Sequence, residues 1–538
     1  MNYIITLLFL LLQTLSIASP PDSSLTYQAQ IHSFISQHPD YSPHWFIHNR
    51  NGIFVPGENN LLALGRLNYL KEFGKHWKLD AGLTGVANIN FDQSYIHEAF
   101  INLSYGPLQL KIGQEELVYM QNSEEISSGA YFFSNNARPI PRIGMGFYEY
   151  TDVPFTNGYI QIKGFLNQGF LYDDRGARGT SDVLLHEKSL YLRSNNLLIN
   201  PHVGINHSAL FGGSLNGKNI PVDYISTFFG SGSDKVGEDF SSEVLNAAGA
   251  HSLLFDIGFN FTINDQLEIQ TFFQKPVTDL SGMWGFFQRN RDHILGIVVK
   301  TKNSKLIQEF TYENISTMWQ SGPGAFDPVI NDIWYVGGKG INNYDSMMLA
   351  TYGIETNNIA EDDFWEYVKR VENYGFEYGG RDNFYNNGLY YRGWSYNELA
   401  MGNSLFLTQQ RVKAINPDFN GQYDYFFVNT RMQAHHIGVK GEFSPKLQYR
   451  FLFTHSDNFG TYQGLNKGVY QWESAEPFSD YEYYFEGGLA QNHLFFEAQY
   501  LLKSNLSGTL ALAYDVGDMY KNYGIQLGLN YSGFLLDK

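Results

Sequence analysis

The chain has 538 residues, no cysteine, a formal net charge of −18, and only 17% charged residues against 16% aromatic ones. Without cysteine there is no disulfide scaffold, zinc–thiolate site, catalytic thiol or lipoprotein anchor, and the acidic balance excludes a nucleic-acid binder, which needs clustered Lys and Arg. Soluble domains carry about a quarter charged residues, so many aromatics with few charges instead suit a lipid-facing wall edged by aromatic girdles.

From the N-terminus, the apolar run Ile4 to Leu12 and the small residues Ser16-Ile17-Ala18 read as a secretory signal peptide over 1–18. Pro20-Pro21 stops the run well short of a membrane helix. Residues 19–60 read as an N-terminal periplasmic segment or plug, with Leu25 to Ser36 as a short helix in the periplasmic mouth. Residues 61–538 then carry a strand pattern nearly end to end. Trp77, Leu79, Ala81, Leu83, Gly85, Ala87 and Ile89 alternate with Lys78, Asp80, Gly82, Thr84 and Asn88; Ile101 to Tyr105 turns at Gly106-Pro107 into Leu108 to Ile112. The plainest stretch is 253–273, where Leu253, Phe255, Ile257, Phe259, Phe261 and Ile263 face away from Asp256, Gly258, Asn260 and Thr262. A turn at Asn264-Asp265 leads into Leu267, Ile269 and Phe273. Ile437 to Phe443 returns through Ser444-Pro445 as Leu447 to Phe453, Leu510 to Val516 forms the penultimate strand, and Tyr523 to Tyr531 the last.

Side chains along a strand point alternately to opposite faces, so each of these has one apolar and one wet wall. Strands of nine or more residues with turns of two to a few residues predict an all-β, transmembrane antiparallel β-barrel of about 16–18 strands, with a short N-terminal periplasmic helical segment. Strands of a soluble sandwich or propeller average five or six residues. The irregular stretches 114–157, 212–250, 317–346, 354–390 and 456–480 are predicted extracellular loops, and Glu361 to Tyr374 a short helix within one of them.

Signatures of catalysis are poor. His186-Glu187 lacks the second histidine of a zinc-protease helix, since residue 190 is Leu. Gly212-Gly213-Ser214-Leu215-Asn216 lacks the last glycine of a nucleophile elbow. Asn206-His207-Ser208 and His435-His436 place neighbours on opposite strand faces. Asp173-Asp174 lacks the alternating oxygen ligands of a calcium loop. No catalytic residue, metal or cofactor is therefore assigned.

More distinctive are polar–aromatic strings. Ser134-Asn135-Asn136-Ala137-Arg138-Pro139-Ile140-Pro141-Arg142 joins amides to a stiff turn. On the strand Leu185 to Arg193, Leu185, Glu187, Ser189, Tyr191 and Arg193 share a lumen face. Asp382 to Gly388 followed by Gly393-Trp394-Ser395-Tyr396 is dense in amides and rings. Flat rings and fixed amides or Arg suit sugars, and they equally close a barrel with internal hydrogen bonds. Together with Asp173-Asp174-Arg175-Gly176, Asn206-His207, Tyr312-Glu313, Gln320-Ser321-Gly322 and Thr454 to Tyr462, these strings resemble the capsule assembly Wzi family in its Bacteroidetes form, from about residue 45 to the end.

The resemblance implies an outer-membrane barrel of about eighteen strands with a helical plug near the N-terminus. It implies lectin-like binding and surface organisation of capsular or extracellular polysaccharide, without catalysis. The partners expected are that polysaccharide and outer-membrane lipid, with a monomer as the expected state. Residues 131–200 hold seven Lys or Arg against six Asp or Glu, so Arg138, Arg142 and Arg193 are placed near the glycan surface with Asn383, Tyr385, Trp394 and Tyr396. The alternative is a solute porin, since the same strands would enclose an open channel.

Overall fold

Backbone N–H and C=O groups that face hydrocarbon have no water to bond, so a sheet that enters a membrane must leave no free edge. The computed structural model meets that demand. It describes residues 23–55, 60–88, 94–117, 122, 125–176, 178–233, 248–264, 266–278, 291–302, 304–318, 320, 329–330, 333–334, 383–419, 425–461, 484–485 and 487–537. Eighteen antiparallel strands form one closed sheet in which each bonds its sequence neighbours. The first nine are β1 (Ser23–Ser36), β2 (Asn60–Phe73), β3 (Trp77–Asn88), β4 (Tyr95–Tyr105), β5 (Leu108–Gln114), β6 (Pro141–Asp152), β7 (Ile160–Leu171), β8 (Val183–Ser194) and β9 (Ile199–Phe211). They are followed by β10 (Ala250–Asn264), β11 (Leu267–Val277), β12 (His293–Thr301), β13 (Glu309–Ser316), β14 (Met432–Ser444), β15 (Leu447–Asn458), β16 (Leu489–Lys503), β17 (Leu506–Gly517) and β18 (Asn522–Asp537). No described helix is long and apolar enough to cross a membrane; strands do the crossing.

The barrel closes between β1 and β18, paired from Ser24 opposite Asp537 to Ser36 opposite Gly524 with one register shift between Leu25 and Thr26. This corrects the sequence reading of Leu25 to Ser36 as a helix, and with it the start of the barrel at residue 61. Gln, Ala and Ser are poor strand formers on their own. Here, however, Ala29, Ile31 and Ile35 point outward and Gln28, Gln30 and His32 inward, and β1 pairs with β2 along its other edge. Without it two open edges would face lipid. Another correction concerns 114–157, which is not all loop: its second half contains β6. The helix expected over Glu361 to Tyr374 and the signal peptide lie outside the described residues.

One rim carries tight turns, such as Tyr105 to Leu108, Asn264 to Leu267, Ser444 to Leu447 and Lys503 to Leu506, together with both chain-terminal strand ends. The opposite rim carries the long connections. On the outer wall Ile101, Ile112, Met145, Ile205, Phe259, Leu295, Leu527 and Leu529 are exposed. Toward the turn rim the outward rings gather: Phe73 stacks on Trp77 at 6.2 Å, Trp77 meets Tyr105 at 5.0 Å, and Phe443 stacks on Tyr449 at 4.5 Å. An apolar belt bordered by such a girdle is what a bilayer selects.

Inside, described parts of several long connections fold back into the lumen. A short 3-10 turn, Pro39–Tyr41, leads into α1 (His44–Ile47), whose residues are all buried. The helical part of the N-terminal stretch is therefore here and not over 25–36, and it enters from the long-loop rim. Residues 125–140 and 383–419 join it. Their rings, Tyr131, Phe132, Phe384, Tyr385, Trp394 and Phe406 among them, join Phe427 in the largest buried apolar cluster among the described residues.

Leu527, 57% exposed on the outer wall, gives a test of that wall. In a soluble protein Leu527→Arg would be nearly neutral. In a bilayer it is expected to destabilise the barrel by about 2–4 kcal/mol if it lies near the midplane. Urea unfolding in lipid vesicles, read by heat-modifiable gel migration, measures it, and an unchanged midpoint would contradict the lipid-facing assignment.

Candidate functional site

An inward-folded loop needs its polar groups bonded, because each unpaired one costs about 1–3 kcal/mol. The barrel wall supplies the partners. Glu313 on β13, fully buried, accepts from Ser127 Oγ at 2.5 Å, Ser128 N–H at 2.8 Å, Asn122 Nδ2 at 3.2 Å and also Ser128 Oγ. Next door, His436 Nε2 donates to the Ile126 carbonyl at 2.8 Å, and its other nitrogen meets Thr454 Oγ1 at 2.8 Å. The loop can approach this closely because residue 438 is glycine: a Cβ there would stand 2.0 Å from the Ile126 oxygen.

Asn136 then ties three connections together. Its Nδ2 donates to the Ala400 carbonyl at 2.8 Å, while its Oδ1 accepts from His48 Nδ1 at 2.9 Å and Asn49 N–H at 3.2 Å. On the other flank His44 N–H donates to Asp515 of β17 at 2.7 Å, and its Nε2 lies 3.2 Å from Ser404 Oγ. Burial, with Arg411 nearby, pushes the His48 imidazole down to about 3; burial and the surrounding histidines and Arg411 drive His44 down too.

Beneath this plug, toward the turn rim, lies a cavity of about 240 Å³. Gln28, Gln30 and His32 line it from β1, Leu64 and Arg66 from β2, Thr84 from β3 and Arg450 from β15. Asn49, Arg50, Asn51 and Phe54 form its roof and Glu116 its edge. The arginines are held. Arg50 donates to Gln526 Oε1 at 2.7 Å, lies 3.7 Å from Glu497 and covers the Phe54 ring at 4.3 Å. Arg450 pairs with Glu497 at 3.1 Å. Arg66 meets Glu98 at 3.0 Å and Glu116 at 3.2 Å. Burial alone would raise Glu116, but the hydrogen bond from His97 and the charge of Arg66 hold it below the usual carboxylate range. Burial lowers Arg50 to about 10, which leaves it charged at neutral pH. Fixed donors and acceptors beside one ring can bind a hydroxyl-rich molecule.

The residues singled out from sequence go to three places. Tyr385, Trp394 and Tyr396 come together in the plug core. The Trp394 indole donates to the Phe132 carbonyl at 2.6 Å, and Tyr385 OH donates to the Tyr131 carbonyl while accepting from Asn403 N–H at 2.7 Å. Tyr385 holds φ 71°, a left-handed backbone rare outside glycine. Burial raises its phenol strongly, and burial with Asp173 pushes Tyr396 up to about 12. Asn383 caps the same knot, bonding Asn386 at 2.7 Å. These rings are covered on both faces and present no open platform.

The three arginines are not brought together. Arg142 forms a buried two-pronged pair with Glu187, at 2.6 and 3.3 Å. Arg138 covers the Tyr95 ring at 3.7 Å and donates to the Gly52 carbonyl. Arg193 bonds Gln161 at 2.7 Å near the turn rim. On β7 the partners of Arg142 and Arg193 are Gly169 and Gln161, about 26 Å apart along the strand at 3.3 Å per residue. The lumen face predicted for Leu185, Glu187, Ser189 and Tyr191 is found buried, with Leu190 and Leu192 exposed outside. Asn206 and His436 face inward while His207 and His435 face outward, and no described grouping of three His, Cys, Asp or Glu suits a metal. The cavity residues were missed in the sequence. Their signal was the alternation Gln28, Gln30, His32 against Ala29 and Ile31, concealed once that stretch was taken as a helix.

No protein-family model matches the chain, and no curated protein matches it in sequence. Among solved structures it resembles Wzi, an outer membrane protein involved in group 1 capsule assembly in Escherichia coli and a carbohydrate-binding β-barrel. The TM-score is 0.50 at 10% identity, over 93% of this chain and 83% of that one. It also matches Pseudomonas aeruginosa OccK3 (TM-score 0.43, 12% identity, 96% of each chain) and OprD (0.43, 9%, 97% of this chain and 98% of that one). At such identities the likeness is one of fold, that of outer-membrane barrels.

The buried imidazoles make the plug sensitive to acid. Released into water, His48 takes up a proton near 6.5, whereas packed it does so only near 3. Its neutral form therefore fits the closed plug at full strength above pH 6.5. Below that, each pH unit down to about 3 favours release by about 1.4 kcal/mol. Protection factors of residues 43–55, taken against the intrinsic exchange rate at each pH, are expected to fall from pH 7.5 to pH 5, and less so in His48→Gln. Protection factors that are flat with pH would contradict the coupling.

Proposed function

We propose that this protein is a plugged outer-membrane barrel that holds capsular or other extracellular polysaccharide at the cell surface, without catalysis. The observation that carries this reading is the latch between plug and wall. A carboxylate that accepts four hydrogen bonds from one loop, and an amide that joins three connections, keep the lumen filled where a channel would keep it open. A filled barrel with a polar recess is suited to holding a ligand. The fold it shares with the capsule assembly protein Wzi supports the polysaccharide as that ligand. In this reading the tight turns face the periplasm, the long connections face outside, and the barrel acts as a monomer surrounded by outer-membrane lipid.

Two measurements test it. A deletion strain is expected to shed polysaccharide into the medium that its complemented parent retains. Unchanged retention with reduced uptake of small solutes would replace the reading with that of a porin. In planar bilayers the purified barrel is expected to pass little current. Glu313→Leu, which strips the acceptor from Ser127 and Ser128, is expected to open it.

A further inference from the structure

Between β9 and β10 part of the connection does not fold inward. Tyr224–Phe229 forms a short helix, α2, whose Asp223 side chain accepts from Ser226 N–H at 3.3 Å and whose last turn ends at Gly230 with φ 67°. This helix rests on the outside of the barrel. Its Tyr224 and Phe228 rings pack on His186, at 5.5 and 5.3 Å, and Lys188 Nζ donates to the Phe228 carbonyl while lying 3.8 Å over its ring. On β8, His186 and Lys188 share the face of Leu190 and Leu192, which are exposed, opposite the buried lumen residues Glu187 and Tyr191. The helix thus leaves His186 and Ala209 fully buried although both are on the outer wall.

What α2 turns away from the wall is apolar. Ile225 is 70% exposed, Phe229 75% and the preceding Val222 51%. Leaving side chains of this size in water forgoes about 1.5–3 kcal/mol each. The same strands, followed toward the turn rim, expose Leu190, Leu192, Val203, Ile205, Ile257 and Phe259, so the apolar surface of α2 lies next to the lipid-facing belt. At the join stand Lys188 and the stacked pair His207–His251, whose Nε2 and Nδ1 are 2.9 Å apart. All three point outward in the long-loop halves of their strands. A row of outward polar groups, an apolar belt below it and a helix with apolar side chains lying along that row are the features of an interfacial element.

We propose that α2 lies in the headgroup–acyl boundary of the leaflet on the long-loop side, with Ile225 and Phe229 among the upper acyl carbons and Lys188, His207 and His251 at headgroup level. Its partner is bilayer lipid. The proposal rests on the barrel's apolar belt and not on the polysaccharide reading.

Because the chain has no cysteine, Ile225→Cys and Phe229→Cys are unique labelling positions, with Leu190→Cys as the belt reference and Lys218→Cys as the water reference. Each variant is spin-labelled in the full-length barrel in lipid nanodiscs, after heat-modifiable migration has shown it to be folded. Collisions with oxygen and with a water-soluble nickel chelate are then compared. At 225 and 229 oxygen is expected to exceed the chelate several-fold, as at 190, with the order reversed at 218. Labels at 225 and 229 that behave like 218 would overturn the proposal. So would labels shielded from both reagents, which would mean that protein and not lipid covers the helix.

Discussion

Every feature of this protein depends on the demand that no backbone hydrogen-bonding group be left unpaired in hydrocarbon. That demand is met at one seam, where β1 and β18 pair over most of their length. Closing a sheet of eighteen strands makes a wide barrel, and width creates a second problem. Side chains from the wall cannot fill such a lumen, so either water or folded chain must. Here the long connections do it, and the polar inner face that a membrane barrel needs is also what allows them to dock. Glu313, His436, Asp515 and Gln526 are inward-facing strand residues that would only meet water in an open channel; in this barrel they bond loop backbone and side chains.

The docking combines hydrogen bonds to the wall with apolar packing, both against the wall, where Phe46 meets Phe34 and Phe495, and among the rings of the plug itself. Tyr131 touches Phe132, Phe384, Tyr385 and Phe406, with ring centroids 4.6 to 5.8 Å apart in edge-on contacts. The division has a physical basis. Hydrogen bonds are directional and fix which loop meets which strand, whereas edge-on rings supply non-directional burial once the loops are in place. A loop such as 125–140 is latched to the wall by Glu313 and His436, and it is also held from within the plug. Asn136, Trp394 and Tyr385 bind it to two other segments that are themselves held.

Periodicity made the wall legible in the sequence. The hairpin at 253–273, the return through Ser444-Pro445 and the two-faced strand Leu185 to Arg193 each lie where alternation put them, since a period of two needs only local residues to be seen. Sequence reasoning failed where a partner was distant. Gln28, Gln30 and His32 alternate over too short and too polar a stretch to compete with a helical reading, and only the need to seal β2 and β18 makes them a strand. Arg142 looked like a free cation because its partner Glu187 comes 45 residues later, two strands away in the sheet. Tyr385, Trp394 and Tyr396 looked like a sugar platform because amides beside rings serve a binding face and a packed knot equally well. Burial decides between them, and burial is set by segments far away in sequence.

The arginines bear most directly on the proposed ligand. In a protein of net charge −18, they were the natural place to look for attraction toward an acidic glycan. Yet each arginine at the cavity already faces a carboxylate: Arg50 and Arg450 share Glu497, and Arg66 lies between Glu98 and Glu116. Such pairs cancel at a distance. What they leave at the surface of the recess is a rigid set of N–H donors and carboxylate and amide acceptors, beside the Phe54 ring. A ligand drawn by net charge would gain little there, and breaking an ion pair to admit an anion would strand a buried carboxylate. A neutral, hydroxyl-rich segment would gain from every fixed group without disturbing a pair. The chemistry of the recess therefore favours recognition by hydrogen-bond pattern over recognition by charge, which makes affinity depend little on salt.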